Sequence, residues 1–469
     1  MGKGSVIAYP RGRNEGGIVV AIEPGVPLLG SSLALLSAAS LAAAPAPEPP
    51  DDGALPARLS LAQAEELFLA RGLDVLIAEA NARGAEGDLT AAGAHPNPSF
   101  QPTLYYVPSL NHDVLYNLAP NSATTSTWGF GLGLDDNAAI EDQLSGKRSL
   151  RIEAAAKALA AARLSVADVK RVELAQLREA YVAAVMAGLD VDAAQETFTT
   201  FDRQLALNRV RFAQGAIGRL DLSQVVTGQL EALQSLAAAR AGREQAIATL
   251  AFLLGARGGR VQVTLTSDID YRPLPSLDST RFDALVDDAL ALRPDVQIAR
   301  KNLEQTEVAL RQAKRALLPD IALNAGYSEI CSGATCSSAP GFSAGLSGNL
   351  PVLYQQQGEI GRARANVEAA RRSLGKAEAQ VLSDVTTGYA AYSAAKEQVE
   401  RMIPGELLAE YKLSRDLAQI QYQKGASSLV DFLFAERAYV AAELEYHQDL
   451  ANYWSAVYQL EQATNRTFH

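Results

Sequence analysis

Two aspartates, two cysteines and four histidines are the residues of this chain whose setting could carry chemistry. Asp221 and Asp431 each stand six residues after a glycine, in Phe212-Ala-Gln-Gly-Ala-Ile-Gly-Arg-Leu-Asp221 and Tyr422-Gln-Lys-Gly-Ala-Ser-Ser-Leu-Val-Asp431. Glycine adopts φ > 0 without steric cost, so Gly215 and Gly425 are natural helix ends. Ser427 or Ser428 then offers an N-cap oxygen, and the dipole of the next helix favours a carboxylate in its first turn. Apolar residues recur at helical spacing on both sides of the second stretch: Leu413, Leu417 and Ile420 before it, Tyr446, Leu450, Tyr453, Val457 and Leu460 after it. Both stretches therefore read as tips of antiparallel helical hairpins, repeated at an offset of 210 residues.

The other candidates lead away from catalysis. His95, His112, His447 and His469 share no ligand spacing. There is no Gly-x-Ser-x-Gly, and no glycine-rich loop leads a strand into a helix opening with Lys-Ser/Thr. Gly129, Gly131 and Gly133 alternate with large apolar residues, which suits a strand. No enzyme, cofactor or resident metal is expected. Cys331 and Cys336 are the only cysteines, and in an exported chain such a pair reads as a small loop disulfide. A thiolate metal site is the alternative, but third and fourth ligands are not nearby.

The 469 residues carry a formal charge of −11 without a basic cluster, which argues against a nucleic-acid partner. No uncharged apolar run of about 18 residues occurs beyond the N-terminal segment, so only a β-barrel could carry the chain across a membrane. Residues 1–57 read as a secretory signal and linker: Lys3, Arg11 and Arg13, then the apolar run Leu28–Ala44, a cleavage site near residues 40–47, and the Pro-rich Pro45–Pro56. Glu15 and Glu23 in the long leading region suggest a later true start, and a disordered tail is the alternative.

From Leu59 to Ala94, and again from Phe282 to Leu318, the pattern is helical and ends at Pro98 and Pro319. After each proline the apolar period changes from 3.6 to 2. Phe100–Val107, Trp128–Leu134, Asp320–Ser328 and Gly341–Leu350 are apolar on one side and small or polar on the other. That is the pattern of membrane barrel strands, although a soluble antiparallel sheet with one buried face would look the same. The loops expected between paired strands are Pro108–Thr125 and Glu329–Pro340. Long helices follow, over Ser149–Phe212 and from Arg362, the second kinked at Pro404-Gly405. Their apolar rows require partner helices along the whole length. The expected organisation is a first repeat over 58–255, an inter-repeat segment over 256–280 with a short strand at Val261–Leu265, and a second repeat over 281–469. Four strands cannot close a barrel, since the smallest membrane barrels have about eight. Membrane-spanning strands therefore demand more than one chain.

The doubled tip, aromatic-x-x-Gly-x-x-Ser-x-x-Asp, resembles the TolC-like outer-membrane efflux family over nearly all of Leu59–Thr464. The resemblance implies an α+β membrane protein: a homotrimer with a 12-stranded outer-membrane β-barrel, four strands per chain, continued by an α-helical coiled-coil barrel. It implies that Asp431, with Asp221 in the neighbouring hairpin, contributes to an acidic ring at a closed periplasmic entrance. Converging carboxylates there would repel one another and concentrate cations; first-turn helix residues are the alternative reading. It further implies that Gly215, Ala216, Gly218, Gly425, Ala426 and Ser428 dock a periplasmic adaptor (membrane fusion) protein serving an inner-membrane pump. Gly218 departs from the family's Ser/Thr. No cysteine follows the apolar N-terminal run, so the lipid anchor of many members is not expected. Asn349-Leu-Pro-Val-Leu-Tyr-Gln-Gln-Gln-Gly-Glu-Ile360, Gly146-Lys-Arg148 and Pro96-Asn-Pro98 are similar to the CzcC-like heavy-metal efflux branch. The expected role is export of metal cations or small toxic compounds from periplasm to exterior. Drug efflux, type I protein secretion and a soluble periplasmic coiled-coil scaffold are the alternatives.

Overall fold

The structure is a computed structural model that describes residues 55–107, 127–257, 263–266, 269–332, 337–402 and 407–468. A short strand, β1 (Arg58–Leu59), pairs in parallel with β4 (Thr264–Leu265), tying the start of the described chain to the segment between the two halves. Two helices follow, α1 (Leu61–Arg71) and α2 (Leu73–Gly93). Ser60 caps α1 with a complete capping box through Gln63. The helical pattern expected to be continuous from Leu59 is thus a strand, then two helices broken at Gly72. A Cβ there would lie 2.6 Å from the Phe68 carbonyl oxygen.

Strands β2 (Ser99–Val107) and β3 (Thr127–Asp135) lead through α3 (Ala139–Leu144) into α4 (Lys147–Ala213). The 67 residues of α4 make a helix of about 100 Å at about 1.5 Å per residue. It returns as α5 (Arg219–Leu253), and after α6 (Pro275–Asp278) the same order begins again. Helices α7 (Phe282–Leu292) and α8 (Pro294–Arg315) break at Arg293, where the following proline disfavours helical backbone. Strands β5 (Ile321–Ser332) and β6 (Ser337–Gly348) precede α9 (Gln357–Met402), α10 (Leu407–Gln423) and α11 (Leu429–Thr464). The expected loop Glu329–Pro340 is largely strand, because Glu329 pairs with Pro340 and the ladder runs on to Ser332 and Ser337. The expected loop Pro108–Thr125, the kink at Pro404-Gly405 and Cys336 lie outside the described residues.

The four long strands form one antiparallel sheet in the order β2-β3-β5-β6, with β2 and β6 as open edges. Residues directly opposite across the ladder share a face. Phe100–Leu134–Ala325–Ala344, Leu104–Phe130 and Leu323–Leu346 make one apolar face. Gln101–Gly133–Gly326–Ser343, Thr103–Gly131–Ser328 and Asn324–Gly345 make the other from small and polar groups. The apolar face is bare within one chain: Phe342 is 85% and Leu346 74% exposed.

The buried core lies among the helices. One cluster joins Val381, Val385 and Tyr392 of α9 to Tyr453, Val457 and Leu460 of α11, with Leu285 and Val296. A second packs Phe68 and Val75 on Leu177, Tyr181 and Leu250. Buried charges are paired here: Arg178 with Glu65 and Glu461, at 2.6 and 2.7 Å, and Arg293 with Asp295 and Asp384, at 2.6 and 2.8 Å. Among the described residues no helix is long and apolar enough to cross a membrane.

Candidate functional site

The two hairpin tips are built alike. Gly215 (φ +72°) and Gly425 (φ +74°) take the left-handed conformation that stops α4 and α10. Ala216 N–H donates to the Arg211 carbonyl at 2.8 Å and Gly215 N–H to Phe212 at 3.0 Å; Ala426 and Gly425 repeat this on Gln421 and Tyr422 at 2.8 and 3.1 Å. These Schellman closures satisfy carbonyls left over at the helix ends. Gly215, Ala216, Gly218, Gly425, Ala426 and Ser428 are all exposed.

The helices that leave the tips differ in their caps. Ser428 Oγ accepts from Asp431 N–H at 3.2 Å, while the Asp431 carboxylate accepts from Ser428 N–H at 3.0 Å and its hydroxyl at 2.7 Å. The Ser428 hydroxyl and N–H hold the Asp431 carboxyl below the usual carboxylate range, so this exposed group is ionised at neutral pH. Of the two serines the sequence allowed as caps, Ser428 is the cap. At the first tip Gly218 has no side chain to offer, and only the return bond remains, Gly218 N–H to Asp221 at 3.2 Å. Within one chain each aspartate thus caps its own helix.

Residues behind the tips join the two hairpins. Leu205 and Val225 pack with Tyr422, Leu429 and Phe432 in a small core. Tyr422 stacks on Phe432, donates its hydroxyl to Asn208 Oδ1 at 2.5 Å and lies under the Arg211 guanidinium. Arg211 also donates to the Gln423 carbonyl at 2.6 Å.

A cluster that sequence reasoning missed lies further along the second hairpin. Arg415 of α10 donates to Glu196 of α4 at 2.9 Å and to Asp416 at 2.8 Å, with its guanidinium 4.1 Å from the centre of the Tyr439 ring. Beside it Glu436 of α11 is 2% exposed, and its Oε2 has no hydrogen-bond partner among the described residues. Burial pushes its carboxyl up to about 7; Arg415 opposes this, while Glu196, Asp416 and Glu443 add to it. The sequence signal was a charged residue in the apolar row Phe432, Ala435, Glu436, Tyr439. His447 meets Asp190 at 2.8 Å, joining α11 to α4. No group of three or more metal-ligating side chains occurs among the described residues.

A sheet with one bare apolar face, set on long helical hairpins with polar tips, is the protomer of an outer-membrane channel. The chain belongs to the Outer membrane efflux protein family, whose sequence profile matches residues 66–256 and 285–466. It is an outer-membrane efflux channel protein reaching into the periplasm, and not an enzyme. A curated relative, the pyoverdine export outer membrane protein OpmQ of Pseudomonas aeruginosa, is 24% identical over 380 residues, covering 79% of this chain and 77% of the relative. In fold, the chain is similar to the Campylobacter jejuni CmeC outer membrane channel (TM-score 0.73, 16% identity, 87% of this chain and 86% of that one). It is likewise similar to the open state of the Neisseria gonorrhoeae MtrE channel (TM-score 0.67, 19% identity, 87% and 89%).

Proposed function

We propose that three copies of this chain close a 12-stranded barrel and form the outer-membrane conduit of a tripartite efflux system. The open edges of the sheet carry this reading. Unpaired strand edges cannot be left in the hydrocarbon of a bilayer, and β6 of one copy can pair antiparallel with β2 of the next. The exposed tips, Gly215, Ala216, Gly218, Gly425, Ala426 and Ser428, are the docking surface for a periplasmic adaptor, and an inner-membrane pump supplies the energy. Three Asp431 carboxylates ring the periplasmic entrance, with Asp221 steadying the neighbouring tips. Cys331, which is not a free thiol, and Cys336 form a disulfide that staples the segment between β5 and β6 at the cell surface. The chain divides into repeats at 58–255 and 281–469, joined by 256–280.

For cargo, the run Leu350-Pro-Val-Leu-Tyr-Gln-Gln-Gln-Gly-Glu-Ile360 supports metal cations, as in the CzcC-like branch. The OpmQ likeness supports a second reading, export of a small metal-chelating organic compound. Light scattering of the detergent-purified protein tests the assembly: three copies that migrate differently before and after heating are expected, and a detergent-independent monomer would overturn it. A strain lacking the gene distinguishes the cargoes, by metal sensitivity or by periplasmic retention of a chelator.

A further inference from the structure

Two connections at one end of the sheet hold apolar side chains out from the protein. Asp135, Ile321 and Gly348 mark this end, since Ile321 pairs with Gly348 and Asp135 pairs beside it with Asn324. In the second half, the turn from β6 to α9 exposes Leu350, Val352 and Leu353, and Leu353 is 99% exposed. This turn is tied down. The Tyr354 hydroxyl donates to Glu359 at 2.6 Å and accepts from Gly358 N–H at 3.0 Å; a Cβ at Gly358 would lie 2.6 Å from that oxygen, so a larger residue there would push the Tyr354 ring aside. Gln356 is held at φ +56°.

The first half does the same thing with a different device. The Asp136 carboxylate accepts from Leu323, Ala138 and Ile140 N–H, fixing the turn from β3 into α3, where Asn137 and Ala138 have positive φ. On α3, Asp142 is buried against Arg151 at 2.7 Å and Glu141 faces Lys147 at 3.4 Å. That leaves Ile140 and Leu144, four residues apart and so on one helical face, pointing away; Leu144 is 82% exposed.

From this we infer that Ile140 and Leu144 of α3, with Val352 and Leu353 of the β6–α9 turn, form an apolar collar seated in the acyl chains of the periplasmic leaflet. The inference rests on the barrel reading above. Its occupant follows from continuity: Phe342 and Leu346 stand exposed on β6, and Leu350, exposed two residues beyond the end of that strand at Gly348, leads into the collar, so the lipid that covers the sheet reaches the collar next. Interfacial apolar side chains on a fixed backbone set the depth of a protein in a bilayer, as amphipathic helices do when they lie in the headgroup–acyl boundary. Such a collar would fix where barrel ends and helices begin relative to the membrane.

The test is fluorescence quenching of the full chain reconstituted in phosphatidylcholine vesicles whose acyl chains carry bromine either near the headgroup or near the chain end. The variants are Leu353→Trp, Leu144→Trp and the strand control Leu346→Trp, each with the signal of the parent's Trp128 and Trp454 subtracted. Quenching of Leu353→Trp and Leu144→Trp, stronger for bromine near the headgroup, is expected, with Leu346→Trp quenched as well. If Leu346→Trp is quenched and the other two are not, the collar is overturned: blue-shifted emission would mean a second copy of the chain covers it, red-shifted emission water. If none of the three is quenched, the barrel reading fails and the collar with it.

Discussion

Replacing Glu436 by Gln should make the second hairpin harder to open at alkaline pH while leaving it unchanged at acid pH. Glu436 is buried beside Arg415, whose charge is already shared by Glu196 and Asp416, and Glu443 lies on its own helix. The carboxyl has an ordinary value of 4.5 and is pushed up to about 7 in the folded chain. At about 1.4 kcal/mol per pH unit, this favours the protonated form by about 3 kcal/mol. A folded-state value above the unfolded one means the packed hairpin binds more protons than the open one. Its stability is then greatest below about pH 4.5, falls as the pH rises to 7, and levels off above. Gln keeps the shape, cannot ionise, and leaves Arg415 its two other partners. Hydrogen exchange in α10 and the first half of α11 reads the local opening directly. At pH 8 the variant should exchange up to about three-hundredfold more slowly than the parent, the equivalent of about 3 kcal/mol. At pH 4.5 the two should coincide. Equal exchange at pH 8, or the same difference at both pH values, would refute the reasoning.

Other perturbations probe other parts of the molecule. Leu346→Arg puts a charge on the bare apolar face of β6 and, if that face meets lipid, should cost about 2–4 kcal/mol near the bilayer midplane, read as reduced trimer yield in outer membranes; unchanged yield would count against a membrane strand. Cys331 and Cys336 should resist thiol reagents until reduced, and rapid labelling of freshly purified protein would show free thiols. Asp221→Ala removes the acceptor for Gly218 N–H and should raise single-channel conductance by loosening the first tip; unaltered conductance would confine Asp221 to capping.

What was legible in the sequence was local. The tips could be read because a left-handed glycine and a capping aspartate are determined within ten residues, and the structure adds only that Ser428 rather than Ser427 is the cap. The strands could be read from period-2 alternation, but their far ends could not. Glu329, Pro340 and Ser337 have no strand pattern of their own and are extended because the ladder continues through them. The break at Arg293 was announced by Pro294, whereas that at Gly72 depends on its close approach to Phe68. Arg415 and Glu436 escaped notice because their environment is assembled by α4, α10 and α11, with Glu196 more than 200 residues away. A charged residue in an apolar row signals only that some partner exists. The bare collar residues were equally invisible, since exposure is a property of the folded chain.

The most direct test of the proposal that carboxylates ring the mouth of this channel is the ion selectivity of the purified protein in planar bilayers. Asp431 is exposed and ionised, so three copies around a narrow aperture should make the pore prefer cations and respond to multivalent cations. Asp431→Asn keeps the shape and can still accept from Ser428. This variant should conduct but lose both the cation preference and the multivalent-ion response. A variant pore with the parent's selectivity would contradict that proposal, and would leave Asp431 as nothing more than the first-turn cap of α11.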